Sequence, residues 1–164
     1  LADLEKFQTD PQGQLWNRLA DVRFVMLGSP DPAQHMQPMV PQIDEGRSVI
    51  WFYTDTSSDL ISALGGGAKS VHMSAMESDY QACVCGLLEE HRSEDIINEF
   101  WSPIVAAWFE GGKSDPNLTM LKFTPKDAAV WASTKNPIKF AWEIARANLK
   151  GRTPDVGEKG HVSL

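Results

Sequence analysis

The sequence predicts an α+β domain: an antiparallel barrel or sandwich of about seven strands with helices at its ends and corners. Three observations carry this. Short runs rich in Val, Ile, Phe, Trp and Met alternate with turn clusters of Gly, Pro, Asp and Ser between residues 21 and 133. Helical spacing of apolar residues is confined to the two ends of the chain and to two internal corners. At 164 residues there is room for one compact domain, and neither an internal repeat nor a linker divides it.

The chain opens on a short helix with Leu4 and Phe7 turned inward. It restarts at Thr9-Asp10-Pro11, where Asp10 caps and Pro11 takes the first helical position. Leu15, Trp16 and Leu19 give that second helix one apolar face. Residues 21–28 (DVRFVMLG) read as a central strand ended by Pro30-Asp31-Pro32. Residues 35–54 read as a hairpin turning at Asp44-Glu45-Gly46, with Met39, Ile43 and the run Val49-Ile50-Trp51-Phe52-Tyr53 as its apolar content. A helix over 57–64 places Leu60, Ile61 and Leu64 in phase and stops at Gly65-Gly66-Gly67. Residues 70–76 and 80–90 form the next strand pair around Glu77-Ser78-Asp79, the second alternating through Ala82, Val84 and Gly86.

A helix begins at Ser93 and carries Ile97, Trp101, Ile104 or Val105, and Trp108 through a kink or restart at Pro103. Residues 118–124 and 128–133 read as a last strand pair folded back at Pro125-Lys126-Asp127. Asn136 caps the final helix, whose apolar face is Ile138, Ala141, Trp142, Ala145 and Leu149 and whose stop is Gly151. Residues 152–164 read as a polar, loosely ordered tail, which leaves 1–151 as the single domain.

Charge and hydropathy narrow the function. A net charge of −7 without a basic stripe argues against nucleic acid as a partner. No apolar run reaches the roughly 18 residues that a membrane span needs, so a cytoplasmic chain with no membrane partner is expected. Cys83 and Cys85 would share one face of a strand with Cα atoms about 6.5 to 7 Å apart, near the limit for a disulfide. Two small apolar side chains packed inside is the reading adopted, and no metal site is expected.

Familiar catalytic motifs fail. Gly65-Gly66-Gly67-Ala68-Lys69-Ser70 and Gly111-Gly112-Lys113-Ser114 imitate a phosphate loop, but the first has Ala68 before its lysine and the second has Ala107 where the first glycine belongs. There is no nucleophile elbow, no zinc-protease helix and no dinucleotide fingerprint. His35, His72, His91 and His161 are scattered, and no spacing marks a catalytic acid or base. Trp51, Trp101, Trp108, Trp131 and Trp142, with Phe52 and Tyr53, exceed what so small a barrel needs for its core. A planar ligand or a subunit interface is the other use for such residues.

One stretch stands out. In residues 34–60 the hairpin leads into Tyr53-Thr54-Asp55-Thr56-Ser57-Ser58, where hydroxyls cluster as the chain leaves the sheet. Together with Val22–Gly28, Gln37-Pro38-Met39-Val40-Pro41-Gln42, Ile50–Thr54, Trp101-Ser102-Pro103, Ala107–Pro116 and Trp131, this order of segments resembles the general stress protein 26 family. That family belongs to the pyridoxamine 5′-phosphate oxidase-like, FMN-binding split β-barrel proteins. The similarity covers roughly residues 10–135.

The resemblance implies a split β-barrel of about six to seven strands, and a homodimer with two flavin sites at the subunit interface. FMN is the flavin implied, with FAD or another flavin as alternatives. Carried over by position, Met39, Val40 and Gln42 face the isoalloxazine, with Gln37 and Pro38 leading into them. Tyr53 and Thr54 lie beside the ribityl phosphate, Ser57 and Ser58 hold it, Gln81 is a further polar contact, and Trp108 comes from the partner. The pattern departs at the phosphate: Gln37 stands where the family has Arg, and Asp59 and Leu60 stand where the wider superfamily has Arg and Lys. Arg47 or Lys69 is the cation left to compensate, and sequence does not place either side chain. A flavin-dependent oxidoreductase is the function implied, pyridoxamine phosphate oxidase activity is not, and the rivals are a flavin carrier without turnover and a barrel that has lost flavin.

Overall fold

The computed structural model describes residues 4–30, 34–133, 137–150 and 157–164. Its strands are β1 (Val25–Gly28), β2 (Gln37–Met39), β3 (Gln42–Asp44), β4 (Val49–Asp55), β5 (Lys69–Met76), β6 (Tyr80–Glu90), β7 (Leu118–Ser133) and β8 (Gly157–Ser163). Its helices are α1 (Leu4–Thr9), α2 (Pro11–Asp21), α3 (Asp59–Leu64), α4 (Glu94–Phe100), α5 (Pro103–Ala106) and α6 (Pro137–Lys150). All strand pairs are antiparallel, in the order β2-β1-β5-β6-β7-β4-β3, with β8 also paired to β7.

β2 and β3 stand at opposite ends of that order, yet only Val40 and Pro41 separate them in sequence. The three Cα steps from Met39 to Gln42 span at most about 11 Å, so the sheet has to curl until its edges nearly meet. The fold is therefore an α+β split β-barrel, closed by chain where a full barrel is closed by a ladder.

Alternation along β6 shows how the barrel fills. Tyr80, Ala82, Val84, Gly86 and Leu88 are buried, while Gln81, Cys83, Cys85, Leu87 and Glu89 are half-buried on the outer face. The inward set joins Ile50 and Phe52 of β4, Met73 of β5, and Leu121, Phe123 and Val130 of β7 in one core. Leu15, Trp16 and Leu19 of α2, Phe7 of α1, and Leu60 and Leu64 of α3 plug its ends. The α2 start follows the sequence: Asp10 accepts from the Gly13 N–H and Pro11 opens the helix. On the outer face, α4 and α5 cover one end of β4 and β7, where Val49, Trp51, Leu118 and Met120 pack with Ile97, Tyr53, Trp101 and Phe109.

Several readings change. The first arm of the expected hairpin divides at Val40-Pro41: Gln37–Met39 pairs with β1, and only Gln42–Asp44 pairs with β4. Pro41 has no N–H for a ladder and holds Val40 extended, which lets the chain cross between edges. The expected turn at Pro125-Lys126-Asp127 is instead a bulge inside the continuous sixteen-residue β7. Proline without its N–H is tolerated there because the ladder is interrupted anyway.

The tail expected to be loose contains β8, which pairs with Asp127–Ser133. Its polar alternation hid it, since only Val162 is buried. Cys83 and Cys85 are unbridged, as expected, but they face outward, half-buried. The predicted apolar face of α6 also points away from the core, with Trp142 57% and Leu149 88% exposed while Glu143 and Ala147 are buried. Periodicity shows that a face is apolar, and says nothing of what covers it. Asn136, Gly151 and the turn at 31–32 lie outside the described residues, as do the side chains of Leu4 and Ile138. Among the described residues no helix is long and apolar enough to cross a membrane.

Candidate functional site

The stretch that closes the barrel carries most of the sequence-predicted site. Met39 is half-buried against the core, Pro38 and Val40 are exposed, and Gln42 is half-buried opposite Trp51. Val40 and Pro41 belong to neither ladder. Their backbone polar groups are thus left to water or to a ligand lying along the closure.

The strand exit lies nearby in space because Gln37 reaches it: its Nε2 donates to Asp59 Oδ2 at 3.5 Å. Thr54 is the second-last residue of the β4–β7 ladder, opposite Thr119, and Thr56 N–H donates to Asn117 O at 2.8 Å. Ser57 donates through its N–H and its hydroxyl to Asp55 Oδ1, and Ser58 N–H donates to Asp55 O at 3.0 Å. Ser58 Oγ caps α3 by accepting from Ile61 N–H at 3.4 Å. The Ser57 hydroxyl and N–H hold the Asp55 carboxyl below its usual range. Asp55 was not singled out from the sequence, although Asp-x-Ser after a strand is the pattern of such a turn.

Other predicted residues are committed elsewhere. The Tyr53 hydroxyl donates to Ile97 O at 2.7 Å, and its ring stands edge-on to Trp101 with centroids 6.0 Å apart. Its side chain therefore belongs to the layer beneath α4 and α5. Gln81 donates through Nε2 to Glu77 O at 2.6 Å and lies opposite Trp131. From the row Pro38–Met26–Ser74–Cys83 it is two positions along β6, three strands across the sheet from Pro38. Trp108 follows α5 and is 80% exposed. Neither Gln81 nor Trp108 hydrogen-bonds to the Gln37–Ser58 group among the described residues.

Arg47, one of the two cations named as substitutes, is committed to carboxylates of its own. Arg47 donates to both oxygens of Glu99 at 3.1 Å and pairs with Asp44, which also accepts from the Trp51 indole at 3.1 Å. Burial pushes the Asp44 carboxyl up, but the bonds from Arg47 and Trp51 together with the Arg47 charge outweigh it and leave it below its usual range. Glu99 and Asp44 in turn hold Arg47 protonated. This cluster borders an open cavity of about 540 Å³ between β4 and α4, floored by Trp51 and His91. Lys122, on its far side, pairs with Glu89. Lys69 starts β5, beyond the glycines that end α3. Among the described residues no group of three His, Cys, Asp or Glu side chains is placed to hold a metal.

Burial pushes Tyr53 and Tyr80, the only tyrosines, up to about 12, the nearby Arg18 charge partly opposing the rise at Tyr80. A tyrosine that ionises near 10 when unfolded and near 12 when folded contributes stability below pH 10, which is lost as pH rises from 10 to 12. Tyrosinate absorbance is expected to appear only above about pH 11 in the folded protein and near pH 10 in denaturant. A folded-state midpoint at pH 10 would show both rings open to water.

The family model for pyridoxamine 5′-phosphate oxidase-like proteins matches residues 10–155. The chain belongs to that family. Within this oxidase-like family its similarity is to general stress proteins. A structure assigned to general stress protein 26 of Jannaschia sp. CCS1 is 34% identical, covers 95% of this chain and 99% of its own, and superposes with a TM-score of 0.77. The general stress FMN/FAD binding protein of Xanthomonas citri is also 34% identical, covering 76% of this chain and 89% of its own, at a TM-score of 0.69. A pyridoxamine 5′-phosphate oxidase-related, FMN binding protein of Nostoc punctiforme covers 94% of this chain and 97% of its own at 12% identity and a TM-score of 0.56, a likeness of fold alone. A comparison with curated proteins returns no match.

Proposed function

We propose that this chain is a flavin-binding protein whose isoalloxazine site is the barrel closure at Met39, Val40 and Gln42, FMN being the form the resemblance implies. The observation that carries the reading is the Xanthomonas citri FMN/FAD binding protein, 34% identical over most of both chains. The closure supports it, because Val40 and Pro41 leave backbone groups outside both ladders beside an exposed Val40 and Pro38. Bound there, the flavin would supply hydride or electron transfer, and the chain would supply position and electrostatics. No residue is assigned as acid or base.

A second copy of the chain is part of the proposal. Gln81 lies three strands across the sheet from Pro38 and Trp108 is exposed after α5, and a homodimer is what would bring them to the partner's flavin. The outer sheet face offers a surface for it: Met26, Met76 and Trp131 are exposed beside half-buried Cys83, Cys85 and Leu87. A cytoplasmic location and an oxidoreductase activity of unassigned substrate complete the reading.

Titration of the apo protein with riboflavin and FMN, followed by flavin fluorescence, tests it. Quenching with a hyperbolic dependence on protein is expected, and light scattering is expected to give twice the mass of one chain. No quenching by either flavin at high micromolar protein would leave a barrel that works without flavin. A yellow protein that NAD(P)H does not reduce would favour the carrier over the enzyme.

A further inference from the structure

At the strand exit the backbone N–H groups of Thr56, Ser57 and Ser58 are bonded within the chain, and Asp55 and Asp59 stand beside them. We propose that this end of the site selects an uncharged terminus over a phosphomonoester, so that the chain binds riboflavin more tightly than FMN. The inference rests on the flavin reading above and sharpens it.

The backbone donors of the exit, and the Ser57 hydroxyl, are already used. The N–H groups of Thr56, Ser57 and Ser58 go to Asn117 O, Asp55 Oδ1 and Asp55 O, and the Ser57 hydroxyl goes to Asp55 as well. Ser58 Oγ accepts from the Ile61 N–H, which fixes its lone pairs and leaves its O–H as the one Ser donor at the exit not bonded to Asp55. The helix behind them has six residues, with Asp59 in its first turn, so it offers an anion little. A phosphate would have to displace these bonds one by one.

The charged residues of the exit segment itself, Asp55 and Asp59, are both acidic. Neither Asp55 nor Asp59 forms an ion pair among the described residues, and Gln37 Nε2, the donor that reaches across from β2, is given to Asp59. Arg47 is held by Asp44 and Glu99. The Arg92 guanidinium, on the adjoining loop, donates to the carbonyls of Asp115 and Pro116 at 3.3 Å. A phosphomonoester brings a charge of about −1.5 to −2 at neutral pH against two carboxylates. A terminal hydroxyl instead donates to a carboxylate, which is the charge-assisted bond such a pair can use.

Fluorescence titrations of the full chain with riboflavin and with FMN, at low and at high salt, test this. Riboflavin is expected to bind about tenfold more tightly at low ionic strength, with the gap narrowing as salt screens the carboxylates. Asp59→Asn is expected to tighten FMN several-fold and to leave riboflavin within about twofold, and Asp59→Arg to reverse the order. Asp59 is exposed, and circular dichroism checks that each variant is folded. FMN binding as tight as riboflavin or tighter, or FMN affinity that falls as salt rises, would overturn the inference by revealing a cationic grip. Loss of FMN but not riboflavin in Arg92→Ala would locate that grip. Failure of both flavins to bind overturns the flavin reading instead, so the two failures are told apart.

Discussion

Gly86→Ala is expected to destabilise the protein by about 3 kcal/mol and to lower its melting temperature by roughly 6 to 12 °C. Gly86 sits on the inner face of β6, where the register against β7 shifts between Cys85 and Gly86. A Cβ there would lie 2.4 Å from Thr124 O and 2.7 Å from two atoms of the Phe123 ring. The ring belongs to a fully buried core residue, and the carbonyl belongs to the backbone beside the Pro125 bulge. Neither can withdraw without moving β7, the strand that holds β4, β6 and β8 together. Gly46→Ala is the control, since nothing lies within 4 Å of its added Cβ, and it should stay within about 0.5 kcal/mol. Denaturant melts of the two variants read the difference. A Gly86→Ala protein as stable as the parent would show that β7 can shift its register at little cost.

The same bulge marks where the sequence stopped being legible. Residues 80–90 alternate cleanly because one side of β6 is core and the other is not, so the element and its ends could be read directly. Pro125-Lys126-Asp127 has the composition of a turn, and nothing local distinguishes a turn from a bulge that extends a long strand. The distinction comes from partners far along the chain, β8 after residue 156 and β4 before residue 56. Likewise Gln37–Asp44 reads as one strand, and only the curl of the whole sheet decides that it serves both edges. β8 was missed because GEKGHVS has one buried apolar side chain and is held by its backbone ladder and by Gly160, where a Cβ would lie 3.2 Å from the Phe7 ring.

For the candidate site the sequence yielded the addresses better than the roles. The closure and the strand exit were read as one stretch, and the Gln37–Asp59 bond does join them. The hydroxyls of Ser57 and Ser58 looked like phosphate ligands because their density was visible and their partners were not. In the fold the Ser57 hydroxyl donates to Asp55, and the Ser58 hydroxyl accepts from the Ile61 N–H while keeping its own O–H. Tyr53 is another such case: an aromatic near a proposed ligand, it spends its hydroxyl on the carbonyl of Ile97, 44 residues away in sequence. Contacts of that range have no local signal.

Arg18→Met is expected to cost about 3 kcal/mol, through one of the few charged groups the fold buries deeply. Asp79, in the turn between β5 and β6, is only 1% exposed, and its Oδ2 accepts from Arg18 at 3.3 Å. The same guanidinium pairs with Glu77 at 2.9 Å and lies 5.4 Å from the Tyr80 ring centroid, so one side chain of α2 clamps the whole turn. Methionine keeps the stem packed and withdraws the charge from a carboxylate that water hardly reaches, which is the costly way to break a buried pair. Arg18→Lys should recover only part of the loss, because an ammonium cannot span two carboxylates and cover a ring in one geometry. The double variant Arg18→Met with Asp79→Asn should recover most of it, and a double-mutant cycle in denaturant measures the coupling. The consequence extends to the proposed dimer. Gln81 is held by Glu77 O in this turn, so loosening the clamp should also weaken flavin quenching if Gln81 serves the partner's site. A loss below about 1 kcal/mol would mean that Arg18 only decorates the turn, and the clamp would have to be sought in the backbone bond from Ser133 N–H to Asp79 O.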